Sequence, residues 1–231
     1  MAAPADITIK NFTGQWVMDT TQSDPFDPIL GLQGVSWLLR KALGYATVTL
    51  HIREYTDPKD SIYHIDIQQV VTGGIKGNKE ERKMDWVMGE HKDNVFGRVI
   101  GCSRFICGIQ DEDGKFRPAL DLQTKVAEKT NNTIKRFLRG EIFADGSTCE
   151  GFIADADVAD EELSVQSWVV NATSGWTAEQ VWGFEIIDGK RYHTRRVAVA
   201  KGSKLEMARL VYTFIGHELL AEDQEDNLAY K

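Results

Sequence analysis

Proline is sparse in this chain, five in 231 residues, against ten Phe, six Tyr and six Trp. So much aromatic surface with so few breaks excludes a disordered linker or a collagen-like repeat, and it is enough to fill a sizeable core. Cysteine is sparse too. Cys102, Cys107 and Cys149 form an odd set with neither zinc-ribbon nor CxxC redox spacing. No apolar run approaches the roughly 18 residues of a membrane span, and the opening "MAAPADITIKNF" has no basic region leading into an apolar one. Lys and Arg number 27 against 35 Asp and Glu, a net charge of −8. That balance lacks the basic footprint that phosphate contacts need, so nucleic acid is not an expected partner. These absences together predict a reduced, cytoplasmic protein without a membrane span. Its three Asn-x-Thr sequons, at Asn11, Asn131 and Asn171, would then go unused.

The usual signatures of hard chemistry are missing as well. There is no GxSxG elbow and no dinucleotide fingerprint, and "GGIKGNK" at residues 73–79 does not fit a phosphate-binding GxxxxGK[ST] loop. His217-Glu218 lacks the second His of a zinc-protease helix. The acidic run at residues 155–163 has Asp160 where a calcium loop needs its turn glycine. No metal, cofactor or covalent mechanism is expected.

What is present is β pattern. Asp188-Gly189 separates two β-rich runs, the strongest short-range hairpin signal in the chain. Lys201-Gly202-Ser203, Asp145-Gly146 and Asp113-Gly114 mark further turns, and "YTDPKDS" and "VVTGGIKG" bound the run "IYHIDIQQVV". An antiparallel up-and-down meander is the economical reading. Helical signal is thin. Asp24 is a candidate N-cap with Pro25 at the first helical position, Ser36 opens a second short helix that closes at Gly44, and a third is expected within residues 118–129.

Phe12, Gly14 and Trp16, followed by "SDPFDPILGLQGVSWLLRKALG" and then by strands, resemble the calycins, and within them the lipocalin-like intracellular fatty-acid-binding proteins. Gly34-Val35 and Arg40-Lys41 match the helix-turn-helix of that family. The resemblance covers residues 10 to 56 well and residues 165 to 214 loosely. It implies an all-β, antiparallel calycin-type barrel in one domain spanning 1–231, with a lid at about residues 24–43, an inserted hairpin and helix at about 108–164 and an acidic tail at 217–231. It also implies that Trp16 plugs the closed end, packed by a neighbouring Arg. Two departures stand out. The chain is roughly 100 residues longer than a ten-stranded barrel with typical strands and turns. The Arg-x-Tyr that grips a carboxylate in the binding proteins is here Arg209-Leu210-Val211-Tyr212, one residue too long, so alternation sends the two side chains to opposite faces. Longer calycin-like proteins of fungal secondary metabolism, whose barrels host cyclisations and isomerisations without a cofactor, are similar in general character.

Candidate residues follow from strand alternation. Trp176, Ala178, Gln180, Trp182 and Phe184 share one face. They are either ordinary packing or an aromatic pocket wall with Gln180 as its polar contact, and Trp86 and Trp168 join that ligand-binding set. His64, Asp66 and Gln68 share one face, opposite Tyr63, Ile65, Ile67 and Gln69. That polar face is either solvated or, if inward, supplies His64 and Asp66 as an acid/base pair. Arg191, His193 and Arg195 oppose Tyr192, Thr194 and Arg196; such a basic strand is either a solvated face or places Arg195 inside as an anchor for an anionic or enolate oxygen. Tyr212, flanked on its face by Leu210 and Phe214, is the candidate phenol donor. The expected partner is a hydrophobic small molecule. The expected activity is that of a cofactor-independent isomerase or cyclase, pericyclic chemistry included, with a non-catalytic lipid carrier as the alternative.

Overall fold

The computed structural model describes residues 2–73, 75–153 and 162–218. In chain order the elements are β1 (Gly14–Met18), α1 (Asp27–Leu32), α2 (Trp37–Tyr45), β2 (Val48–Thr56), β3 (Tyr63–Val71), β4 (Ile75–Lys83), β5 (Gly89–Asp93), β6 (Gly97–Gln110), β7 (Phe116–Pro118), α3 (Glu128–Leu138), β8 (Glu162–Asn171), β9 (Trp176–Ile187), β10 (Lys190–Lys201) and β11 (Lys204–Gly216). Ten strands form one curled antiparallel sheet in the order β4-β3-β2-β1-β11-β10-β9-β8-β6-β5, with β7 paired to β6. This is an up-and-down antiparallel barrel with short helices, as the sequence pattern leads one to expect. No helix among the described residues is long and apolar enough to cross a membrane.

The hairpins form where turn chemistry calls for them. Asp188 and Gly189 have φ of 50° and 73°, the double positive-φ turn that Asp-Gly favours, and they align Ile187 with Lys190. Strand β1 joins the two ends of the meander by pairing with both β2 and β11. Gly14 is required there. Its φ is +146°, and a Cβ would lie 2.5 Å from the Gly216 carbonyl oxygen of β11.

The sheet's outer edges, β4 and β5, meet at a seam that side chains tie. Asn78 Nδ2 donates to Asp93 Oδ2 at 2.8 Å, and its Oδ1 accepts from the Asn94 N–H. Further along, the Trp86 N–H donates to the Ser103 carbonyl at 3.0 Å, and Arg82 of β4 reaches the Ser167 hydroxyl of β8.

One end of the barrel is plugged by the N-terminal segment. The Ala3 N–H donates to the Arg191 carbonyl, the Arg191 guanidinium donates to the Pro4 carbonyl, and Ile7, Ile9 and Phe12 are buried against the strands. Trp16 donates its indole N–H to the Phe12 carbonyl and packs on Phe214, His193 and Phe184. The nearby cation, Arg191, lies over Phe184 rather than over Trp16. At the other end α1 buries Ile29 in a cluster with Trp176, Val197 and Val199, whereas α2 buries none of its side chains.

The helices differ from the sequence expectation at their ends. Phe26, not Asp24, is the N-cap of α1, and Pro28 rather than Pro25 sits in its first turn. Asp24 is used otherwise: its carboxylate and N–H engage the main chain of Arg209, fastening the lid to β11. Ser36 caps α2 as expected, accepting from the Leu39 N–H, but the helix continues through Gly44 to Tyr45. The third helix is not within 118–129; residues 119–127 form no helix, and α3 begins only at Glu128. Ile134, Phe137 and Leu138, spaced to share one helix face, hold it against Ile106, Val181 and Ala198 on the outer side of the barrel. Gly183 permits the close cover: a Cβ there would meet the Phe152 ring at 2.7 Å.

That cover changes the fate of the outer face of β10, whose Thr194 and Arg196 a solvated reading would expose. Arg196 is 0% exposed. It pairs in a fork with Glu185, donates to the Phe137 and Ile142 carbonyls and touches Cys149 Sγ. The Phe137 carbonyl, in the last turn of α3, also accepts from the Gly140 N–H, so Arg196 adds a side-chain donor to a capped helix end. Thr194 and Arg209 complete the set around Glu185. The three cysteines are free thiols. The acidic run at 155–161 and the tail from 219 onward lie outside the described residues.

Candidate functional site

Register fixes which side chains enter the barrel. Trp16 lies opposite Phe214, Met18 opposite Tyr212, His193 opposite both Tyr212 and Phe184, and Arg195 opposite both Leu210 and Trp182. Beyond Trp182 come Val165 and then Phe105; beyond Gln180 come Ser167 and Ser103. On the facing wall Ile65 and Ile67 align with Arg82 and Glu80. The closed half is therefore packed with large rings. The lid half is lined by Ala178, Val169, Gly101, Val197 and Ala208. Gln180, Val169, Leu210, Gln69 and Glu80 all face inward and are only half-buried.

Trp182 is the centre of this interior. The Arg195 guanidinium lies 4.0 Å over its ring and that of Arg82 4.9 Å from it, while its N–H donates to Gln180 Oε1 at 2.9 Å. Arg82 forms an ion pair with Glu80 and donates to the Ser103 and Ser167 hydroxyls. Arg195 is matched poorly by comparison. It is 4% exposed, makes one long bond of 3.4 Å from Nε to His193 Nε2, and its Nη2 has no partner. A buried donor left unmatched costs about 1–3 kcal/mol.

The charges follow from burial. His193 donates from Nδ1 to the Gly183 carbonyl; burial first, and then the adjacent Arg195 charge, hold its pKa well below the ordinary value, so it is neutral. Burial pushes the Tyr212 phenol up, with Arg195 partly offsetting it, so Tyr212 stays protonated. Burial also raises Glu80, but the Arg82 and Arg195 guanidinium groups and its hydrogen bonds outweigh that and hold it ionised. Two guanidinium groups against one carboxylate leave a single positive charge at this centre. It sits beside an aromatic wall, with Arg195 Nη2 and the Gln180 amide nitrogen as donors. Such a place suits an electron-rich oxygen on an otherwise apolar molecule.

Of the residues predicted from sequence, Arg195, Tyr212, Gln180, Trp182 and Phe184 come together here. His64 and Asp66 lie on the opposite side of the sheet, because Ile65 and Ile67 take the interior. His64 stacks on Tyr55, whose hydroxyl donates to Asp66. His64 also forms a cluster with Asp57 and Asp60, in which the Lys83 ammonium already holds Asp60 at 2.7 Å. Trp168 faces outward, aligned with Cys102 and Glu179. Trp86 sits in the β4–β5 turn with a φ of 59°, beneath the Arg104 guanidinium. Glu80, Arg82, Ser103 and Ser167 were not anticipated. "KGNKEERK" reads as a solvated edge strand, and only the register opposite Ile65 and Ile67 turns Glu80 and Arg82 inward.

Fold and site together define an up-and-down antiparallel barrel with short helices and a polar centre in its interior. No family model matches the chain. Two curated relatives are similar over nearly its whole length. The probable pericyclase scpY of Mollisia scopiformis is 28% identical over 215 residues, 93% of this chain and 95% of that one. The pericyclase pydY of an Acremonium species is 27% identical over 216 residues, 94% and 98% of the two chains. Similar solved structures include lipid binding protein 8 of Caenorhabditis elegans, at a TM-score of 0.49 with 14% identity, covering 91% of this chain and all of that one. Another is the Schistosoma mansoni fatty acid binding protein in complex with arachidonic acid, at 0.46 and 14%, covering 89% and 96%.

Proposed function

We propose that this protein encloses a hydrophobic small molecule in its barrel and rearranges it as a cofactor-independent isomerase or cyclase of pericyclic type. The observation that carries this reading is Arg195, a buried guanidinium 4.0 Å over the Trp182 ring with Nη2 unmatched. The full-length similarity to two pericyclases supports it.

The arrangement has the parts such a reaction needs. Aromatic and aliphatic walls hold a flexible chain in the folded conformer from which bonds exchange, which lowers the entropic part of the barrier. Arg195 Nη2 and the Gln180 amide donate to an oxygen conjugated with the reacting π system. They stabilise the charge that builds there without any proton or group being transferred. His193 accepts from Arg195 Nε and so fixes the guanidinium plane. Tyr212 lines the same wall and keeps its proton.

The test is to incubate the purified protein, with no added cofactor, with the substrates of the two similar pericyclases, and to follow a product of unchanged mass by chromatography. Conversion by the wild type, slowed about 100-fold or more in Arg195→Met through kcat, is the expected outcome. Saturable binding without any conversion would leave a carrier instead.

A further inference from the structure

The barrel holds a second orphan donor on the same inward face, far from the first. Trp176 opens β9 beneath the lid and is 2% exposed, and its indole Nε1 has no hydrogen-bond partner. Its ring meets Phe96 edge-on at 5.5 Å and shares an apolar cluster with Ile29 of α1 and with Val197 and Val199. Nothing on those side chains can accept a hydrogen bond. Buried indole N–H groups are ordinarily paired, as those of Trp16 and Trp182 are here. Between Trp176 and the Arg195 level, β9 and β10 carry Ala178, Gln180, Val197 and Val199 on this face, with Gln180 Oε1 already taken by Trp182.

We propose that Trp176 is a second, neutral anchor that selects an elongated substrate carrying an uncharged oxygen, a carbonyl or ether, at its lid end. The inference rests on Arg195 as the anchor for the electron-rich end. Trp176 and Trp182 are six residues apart on one strand, so the two oxygens stand about 20 Å apart along the chain direction, with apolar substrate between them. A charged group is refused at the lid end because that cluster supplies no counter-charge, while a hydrocarbon end would leave the indole unmatched.

The experiment uses two probes of equal chain length, a long-chain fatty acid and the monomethyl ester of the corresponding dicarboxylic acid. Each displaces a lipophilic dye from the full chain. The wild type should bind the half-ester about 3–10-fold more tightly than the plain acid, the worth of one hydrogen bond. Trp176→Phe, which keeps an aromatic ring and loses the donor, should bind both alike. In the unmutated protein the Trp176 indole N–H resonance should move with the half-ester and stay in place with the acid. Equal affinities, with that resonance unmoved, would overturn the proposal even if Arg195→Met weakens both probes and so upholds the first anchor. If neither probe displaces dye and none binds saturably, the pocket itself is refuted and this proposal with it.

Discussion

Arg195 and Arg196 are neighbours in the chain and meet opposite fates. Arg196 faces the inserted segment and is saturated: a fork to Glu185, two main-chain carbonyls and a thiol. Arg195 faces the cavity with one long bond and an idle nitrogen. Both are buried, so exposure does not distinguish them. The guanidinium whose donors are all used holds the insertion to the barrel, and the one whose donors are not is left to hold something else.

Mutating each arginine separates the two roles. Arg196→Met leaves Glu185 buried without its main counter-charge and should cost about 3–5 kcal/mol in denaturant unfolding, with helix content falling as α3 loses its anchor. Arg195→Met should slow conversion about 100-fold, some 3 kcal/mol, while the melting temperature holds or rises, because a poorly matched buried charge is gone. Glu80→Gln sharpens the comparison by removing the one negative charge beside Arg195. Dye displacement by a fatty acid should then report about 3–10-fold tighter binding, in proportion to a Coulomb interaction of about 1 kcal/mol at partly screened separations.

A pH-dependent effect concerns Glu54, whose Oε2 has no partner and whose pKa burial pushes up to about 8. A carboxyl raised in the folded state binds its proton more tightly there than in the unfolded chain. Stability therefore falls as pH rises from about 4.5 towards 8. Glu54→Gln should match the wild type near the lower limit and exceed it by about 3–5 kcal/mol near the upper one, read from urea midpoints at several pH values.

The sequence disclosed strands more readily than faces. Asp188-Gly189, the alternation at 176–184 and the Ser36 cap are local chemistry, and local chemistry can be read directly. Which side of a strand is covered depends on what packs there. Thr194 and Arg196 looked like a solvated face because the cover, α3, is rich in Asn and Thr and shows its apolar spacing only at Ile134, Phe137 and Leu138. Glu80 and Arg82 were hidden by the charges around them. His64 and Asp66 had the right chemistry on a strand whose isoleucines claimed the interior. Arg195 and Trp182 were legible because each continues a period-two run of apolar residues, and alternation carries it to the same side of the sheet as they are.

The seam between β4 and β5 has a consequence for association. A barrel joined by side chains there still presents two strand edges, and free edges invite pairing with other chains. Strand β4 alternates Lys79, Glu81 and Lys83 outward with Glu80 and Arg82 inward. An incoming strand would have to accept charge on both of its faces. The residues that disguised the site as ordinary surface are also the ones that keep this edge from recruiting a neighbour.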